Sequence, residues 1–291
     1  MTTEVVRFEK AAELRAVAEP FLMRQEAHHN LLLGLIGTLE TTPGLYGEAQ
    51  PYLAAAVDEG EVAGVALMTP PRNLVISLCE GAEVPALFAR DALAFRRETA
   101  GVIGPVESTR PFAAAWTALT GQRARVRLAE RCYKLEAVSP LRPVPGAPRV
   151  AAEGDAVLLT DWWLAFTLEA VPQDGSSKEE VGRYVRQRLG VSPEDGGIVI
   201  WEDGRVPVSV AAYGSPTANS MRIGPVYTPP EKRRKGYAGA CTAEASRRVL
   251  AAGKQFVTLF TDLSNSTSNH IYQEIGFRPV CDVEDCVFER G

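Results

Sequence analysis

The chain has 291 residues, 46% of them apolar and 23% charged, with a net charge of −5. This composition is that of a folded soluble protein of about two domains, not a disordered chain. The acidic balance argues against general binding to nucleic acid or to an anionic membrane.

Five scattered cysteines with no C-x-x-C motif argue against a disulfide framework or zinc ribbon and fit a reducing, cytoplasmic setting. The N-terminus lacks the basic-then-apolar pattern of a signal peptide. The most apolar stretches, such as NLLLGLIGTL, are too short to span a membrane.

In chain order, the periodicity predicts helices over 11–22 and 26–40, then strands over 52–58, 62–69 and 73–80. A helix over 84–101, a strand at 101–106, a helix over 109–121 and strands through 123–138 complete the first half. Adjacent His28 and His29 on a helix point about 100° apart and cannot share a metal. Between Ser139 and Arg149, four prolines and a glycine fall in eleven residues, a run that sustains neither helix nor central strand. We therefore divide the chain into domains at 1–138 and 150–291, joined by a linker over 139–149.

The second half opens with two helical patterns. DAVLLTDWWLAFTLEAV, 155–171, carries apolar residues close to helical spacing, and SSKEEVGRYVRQRLG, 176–190, has a serine start, early acids, late arginines and a glycine stop. Strands follow over 197–203, 205–214 and 219–228, the first two joined through Asp203-Gly204, a hairpin signal. Then come the basic turn PEKRRKG, a helix over 237–253, a strand at 254–262, a short helix over 266–276 and two short strands within 277–290. The two halves share a rhythm that suggests a duplication. The tetrapeptide IGPV, at Ile103–Val106 and again at Ile223–Val226, occupies different strands by element order and is no repeat.

The four cations Lys232 to Lys235 end at Gly236, where a helix begins. A strand, a basic turn and a helix start aim free backbone N–H groups and a positive helix end at one spot, which suits phosphate; a solvated basic turn is the plainer reading of the run alone. No G-x-x-x-x-G-K-[ST] is present, so this is not a P-loop. Arg233 to Ala238 read R-x-x-G-x-A, and downstream NSTSNHIYQEIGF reads N-x-x-S-x-x-x-Y-x-x-x-G-F with Asn265, Tyr272, Gly276 and Phe277. Together, in this order, they resemble the coenzyme A loop and the following N/Y segment of the GCN5-related N-acetyltransferases (GNAT), with Ser268 where that family has alanine. The resemblance covers roughly 150–291.

The resemblance implies an α/β fold of two tandem GNAT-like domains, each a mixed, mostly antiparallel twisted sheet flanked by helices. It implies acetyl-CoA as cofactor and a small-molecule or peptide amine as acceptor, with no nucleic acid or membrane partner, in a monomer or homodimer. Backbone groups of Val226, Tyr227 and Thr228 are expected to hold the pantetheine arm, one amide near Val226 or Tyr227 serving the thioester carbonyl. Arg233, Arg234, Lys235, Gly236, Tyr237 and Ala238 are expected at the pyrophosphate, and Asn265 at the cofactor arm. Tyr272 stands where the family places a general acid for a departing thiolate.

For a general base the candidates are Glu169 and then Asp262, with attack by the free-amine fraction as the alternative. His270 is expected on the surface, with a place lining the acceptor pocket as the alternative, and Cys241 in the core; of Trp162 and Trp163 one can wall the acceptor site while the other belongs to the core. The first half lacks R-x-x-G-x-A, puts Glu80 and Glu83 where pyrophosphate needs cations, and has Trp116 near the tyrosine position; it reads as a degenerate copy that does not bind acetyl-CoA. Two further readings stay open: a non-catalytic acyl-CoA-binding regulator, and an aminoacyl or longer-acyl transferase of the same fold.

Overall fold

The computed structural model describes residues 3–170 and 175–290. Its described residues fall into two compact units, one of 3–133, 260–265 and 279–290, the other of 134–170, 175–259 and 266–278.

The first unit runs β1 (Glu4–Arg7), α1 (Ala11–Met23), α2 (Asn30–Thr41), β2 (Tyr52–Asp58), β3 (Glu61–Met68), β4 (Leu74–Ile76), α3 (Val84–Phe95), β5 (Gly101–Pro105), α4 (Val106–Thr120) and β6 (Arg123–Leu135). The rest of the chain repeats this order element for element. It runs β7 (Ala147–Val150), α5 (Ala156–Ala170), α6 (Lys178–Leu189), β8 (Gly197–Asp203), β9 (Val206–Gly214), β10 (Ser220–Tyr227), α7 (Tyr237–Ala251), β11 (Phe256–Asp262), α8 (Ser266–Ile275) and β12 (Arg278–Glu289). In this series the first IGPV spans the end of β5 and the first residue of α4, and the second lies on β10, the counterpart of β4, so the two copies occupy different places.

Several boundaries have visible causes. Ser177 accepts from the Glu180 amide (3.2 Å) while the Glu180 carboxylate accepts from the Ser177 amide (2.8 Å), a capping box that starts α6. The β8–β9 hairpin turns on Gly204 and Arg205, both at positive φ, and the β2–β3 hairpin on Glu59 and Gly60 likewise. Two left-handed residues in a two-residue loop match the twist of the flanking strands.

Several expectations differ from the structure, among them the helix expected over 84–101, which ends at Phe95. Residues 24–29 form turns, and α2 starts only at Asn30; His28 and His29 therefore precede the helix. Residues 123–135 and 278–289 are each one continuous strand. Residues 147–149, the end of the stretch read as linker, form β7 with Val150 and pair with β8. The short β1 escaped notice, and Val171, expected in the helix of 155–171, lies outside the described residues.

In the first unit the sheet order is β1-β2-β3-β4-β5-β12-β6. The last strand of the chain thus completes this sheet, with Val283–Val287 antiparallel to Gly101–Pro105. Its side chains are part of the core. Phe288 stacks on Trp116 (5.4 Å) and Phe112 (6.5 Å). Arg110 and Arg127 donate to Glu284 and Asp285, and Asn73 Nδ2 donates to Asp285 at 2.5 Å. Apolar clusters cover both faces of β2–β5.

In the second unit the order is β11-β10-β9-β8-β7. Here β10 runs antiparallel to β9 and parallel to β11. Its core joins Val181 and Val185 of α6 and Leu159 of α5 to Ile198, Ile200, Val210 and Tyr227 of the sheet.

Candidate active site

The site is built around the end of β10. The parallel ladder to β11 stops at Ile223↔Leu259, yet β10 continues to Tyr227 along β9. An extra residue enters the β9 pairing between Ile223 and Val226, where Gly224 takes a φ of 152°. A bulge of this kind re-aims the strand beyond it. Alternate strand residues turn their backbone groups to opposite edges, so one of Val226 and Tyr227 directs its N–H and C=O away from β9. Thr228 Oγ1 and Ser209 Oγ are 2.8 Å apart, and Ser209 Oγ donates to the Tyr227 carbonyl. These bonds fix the strand end against β9.

After Pro229 a short 3₁₀ turn at Pro230–Lys232 leads into the basic loop. Arg234 adopts φ 62° and Gly236 φ 82°, two left-handed residues just before α7. For arginine this conformation is costly, and such strain persists only where the surroundings enforce it. The first N–H groups of α7 have no intrahelical acceptor, and Gly236 as N-cap has no side chain to accept from them. A Cβ on Gly236 would stand 2.7 Å from Val144 Cγ1, so residue 144, read from sequence as linker, packs against the loop.

Among the described residues Lys232, Arg234 and Lys235 have no ion-pair partner, and Arg234 and Lys235 are exposed. Unpaired cations at a helix N-terminus oppose its dipole; an anion seated there reverses that repulsion. The donor set, backbone amides with three cations around them, fits a pyrophosphate. Tyr237 begins the helix, and its hydroxyl donates to Asp203 at 2.5 Å, so its side chain is a brace and only its backbone is available to a ligand.

Arg233 behaves differently from its neighbours. Its Nε donates to the Thr228 carbonyl (2.9 Å), and Nη2 donates to both carboxylate oxygens of Glu169 (2.9 and 2.7 Å). Glu169, the first candidate base, is therefore engaged by a cation of the loop. Sequence spacing gave no hint of this pair, which joins residues 64 apart. Trp162, also on α5, packs on Tyr227 with ring centroids 6.1 Å apart, and Trp163 meets Tyr184 edge-on at 5.2 Å. Both tryptophans are half-buried.

The second motif comes back to the first through packing. A Cβ on Gly239, in the first turn of α7, would lie 3.4 Å from Ile271 of α8, the neighbour of Tyr272. The two segments, some thirty residues apart in sequence, thus meet within one unit. Tyr272 is half-buried and lies edge-on to Phe277 at 5.9 Å. Burial pushes its hydroxyl up to about 12. Gly276 (φ 112°) has Ser139 Oγ where a Cβ would sit, at 2.8 Å, and Phe277 is fully buried. The glycine and phenylalanine of the motif are accordingly fixed by packing.

Asp262 and Asn265 lie in the segment 260–265, which groups with the first unit. There Asp262 Oδ1 accepts from the Ser264 amide (2.7 Å), and the Asp262 carbonyl accepts from the Asn265 amide (3.1 Å). Asp262, the second candidate base, caps this turn. His270 is exposed and faces Glu274 at 3.4 Å, whereas Cys241 is buried with its thiol bonded to the Val199 carbonyl.

In the first unit the corresponding place is filled by protein. The Ser108 hydroxyl accepts from the Cys79 amide (2.9 Å), and a Cβ on Gly104 would come within 2.4 Å of the Ile76 carbonyl. Helix α4 follows β5 without a loop. Glu80 is paired with Arg24 at 2.8 Å, and Trp116 is fully buried, its indole donating to Gln122.

Residues 211–286 match the FR47-like protein family model. No curated protein matches the chain. Among solved structures, a GCN5-related N-acetyltransferase from Sphaerobacter thermophilus aligns with a TM-score of 0.64 at 16% identity, over 99% of this chain and 96% of that one. A GNAT-family acetyltransferase from Colwellia psychrerythraea aligns at 0.60 and 10% identity, covering 99% and 100%. A tandem GNAT protein from the clavulanic acid biosynthesis pathway aligns at 0.58 and 13%, covering 98% and 97%. The chain thus has the fold of these GNAT acetyltransferase structures, a tandem one among them, and residues 211–286 are similar to the FR47-like family.

Proposed function

We propose that the protein is an acetyl-CoA-dependent N-acetyltransferase whose second domain carries the reaction. The observation that carries this reading is the loop at 233–239: strained, cationic, amide-rich, and packed through Gly239 against the helix that bears Tyr272. Bound acetyl-CoA would supply a thioester, whose acyl carbon an amine attacks as the C–S bond breaks.

The roles of this chain's own residues follow. Val226 to Thr228 offer backbone groups to the pantetheine arm, and Arg234 to Ala238 hold the pyrophosphate. The Tyr272 hydroxyl, held protonated through the neutral range, delivers a proton to the departing sulfur. Because Glu169 is engaged by Arg233 and Asp262 caps a turn, we assign no carboxylate base; the uncharged fraction of the amine attacks, and the proton it sheds in forming the amide passes to solvent. Glu169 instead positions Arg233. The first domain, whose equivalent cleft is bridged by Ser108 and Cys79, binds no acetyl-CoA in this reading.

The test is Tyr272→Phe, assayed for free thiol release and for acetyl-CoA binding by calorimetry. We expect kcat to fall about 10²- to 10⁴-fold, the usual contribution of a positioned acid, with the acetyl-CoA Kd nearly unchanged. Equal turnover in wild type and variant removes Tyr272 as the acid. Wild-type protein that binds acetyl-CoA but never consumes it across an amine panel points to the regulator instead.

A further inference from the structure

The stretch that reads as a linker in sequence is fitted closely to the second unit. The Ser139 amide donates to the Ile275 carbonyl at the end of α8 (2.8 Å), and Ser139 Oγ stands where a Cβ on Gly276 would go. Farther along, Val144 lies against Gly236 of the basic loop. The Pro145 carbonyl then accepts from the Trp201 indole (2.9 Å), a Cβ on Gly146 would strike the Glu202 carbonyl, and Ala147 opens the ladder of β7 with β8. Four prolines within 139–149 stiffen the path between these anchors. The segment is a strap drawn past the end of α8 and the start of α7, beside the loop to which we assign the pyrophosphate.

Arg142 stands on this strap, between the anchors at Ser139 and Val144. Pro143 confines its backbone to extended conformations, and its Cα lies within about 7 Å of that of Val144. An arginine side chain has a comparable reach. Its guanidinium can therefore attend an anion seated on the loop while the residue stays exposed, as it is here.

The charges around it have their own tasks. On the same strap Arg149 is held by Asp155 and Glu202, at 2.7 and 2.6 Å, and at the end of β8 Asp203 accepts from Tyr237. Arg233 is held by Glu169, and the loop's carboxylate, Glu231, acts on the Tyr227 hydroxyl. Lys232, Arg234 and Lys235 belong to the loop itself. Coenzyme A carries a third phosphate beyond its pyrophosphate, a monoester on the ribose 3′ oxygen with a charge of about −1.5 to −2 at neutral pH. A guanidinium fork suits such a terminal phosphate, since it can donate two parallel bonds.

Resting on the acetyltransferase reading above, we propose that Arg142 binds the 3′-phosphate of acetyl-CoA, so that the connecting strap completes the cofactor site. Calorimetry on the full chain compares three ligands: acetyl-CoA, acetyl-3′-dephospho-CoA and acetyl-pantetheine, which lacks the nucleotide altogether. We expect Arg142→Ala to weaken acetyl-CoA about five- to tenfold, the scale of a charge-assisted bond at a solvent-facing site, and to leave acetyl-3′-dephospho-CoA within twofold of wild type. Arg142→Lys, which keeps the charge and loses the fork, should recover part of the loss. Added salt should narrow the gap between wild type and Arg142→Ala.

Equal wild-type affinity for acetyl-CoA and its 3′-dephospho form, an Arg142→Ala variant that keeps the wild-type preference, or an equal loss for both nucleotides overturns the proposal and leaves the loop its pyrophosphate. If wild type binds neither nucleotide more tightly than acetyl-pantetheine, the reading of the loop falls and the proposal with it.

Discussion

Replacing Gly236 by alanine isolates what the loop backbone contributes to cofactor binding. At φ 82° an alanine is held in a left-handed conformation that costs roughly 1–2 kcal/mol. Its Cβ also lies 2.7 Å from Val144 Cγ1, so either Val144 rotates or the loop moves. Strain that persists unchanged in free and bound protein cancels from the affinity. The free loop, however, can relax, and binding must then restore the strained shape at the N-terminus of α7.

The expected loss in acetyl-CoA affinity is that relaxation energy, about 1–2 kcal/mol, or roughly 5- to 30-fold in Kd. Isothermal calorimetry measures it directly, with acetyl-pantetheine, which lacks the pyrophosphate, as the ligand that should be unaffected. Two companions separate the causes. Gly236→Asn keeps the Cβ contact but tolerates the left-handed region, whereas Gly236→Ala with Val144→Ala relieves the contact and keeps the strain. If Gly236→Ala binds acetyl-CoA within twofold of wild type, or weakens acetyl-pantetheine equally, the loop does not hold the pyrophosphate and the argument fails.

Two further outcomes follow from the first unit. His29 is buried, donates from Nδ1 to the Leu22 carbonyl and, among the described residues, leaves Nε2 without a hydrogen-bond partner; burial lowers it to about 4. The unfolded chain takes up this proton near pH 6.5 and the folded one only near 4, so His29 adds no penalty above pH 6.5, and stability falls as pH drops from 6.5 towards 4. The loss approaches about 3 kcal/mol, and urea titrations of His29→Gln between pH 4 and 7 should show a flatter dependence; an unchanged slope would falsify this assignment. Phe288→Ala removes a ring stacked on Trp116 and Phe112, at a cost of about 3 kcal/mol to the first unit. A change below about 1 kcal/mol in denaturation followed by Trp116 fluorescence and near-UV dichroism is incompatible with β12 belonging to that core.

How far the sequence discloses the molecule varies with the range of the forces involved. Local chemistry was legible: the Ser177–Glu180 box and the Asp203-Gly204 hairpin signal are written within a few residues. The two motifs were legible as well, since each carries its own constraints. Gly276 must be glycine because Ser139 stands where a Cβ would go, and Phe277 fills the core. Long-range choices were not. Nothing in the alternation of CDVEDCVFE says that its partner is β5, some 180 residues earlier, since a buried strand is equally apolar against any sheet. The Glu169–Arg233 pair and the contact of Val144 with the loop were hidden for the same reason. Both depend on where the second unit folds its helix and its connecting segment, not on spacing. The start of α2 was missed because residues 24–29 have helical composition, yet they turn, which periodicity cannot register.

The placement of β12 also sets a timetable. A ribosome making this chain finishes residues 1–133 well before it reaches the strand that seats beside β5. At ordinary synthesis rates the interval is roughly ten to thirty seconds. Throughout it the nascent first unit has an unpaired strand edge, the kind of surface that recruits wrong partners, and lacks Glu284 and Asp285 to answer Arg110 and Arg127. Maturation of the earlier-made unit is thus gated by the codons of β12. A premature stop there is expected to damage the half of the protein farthest from it along the message.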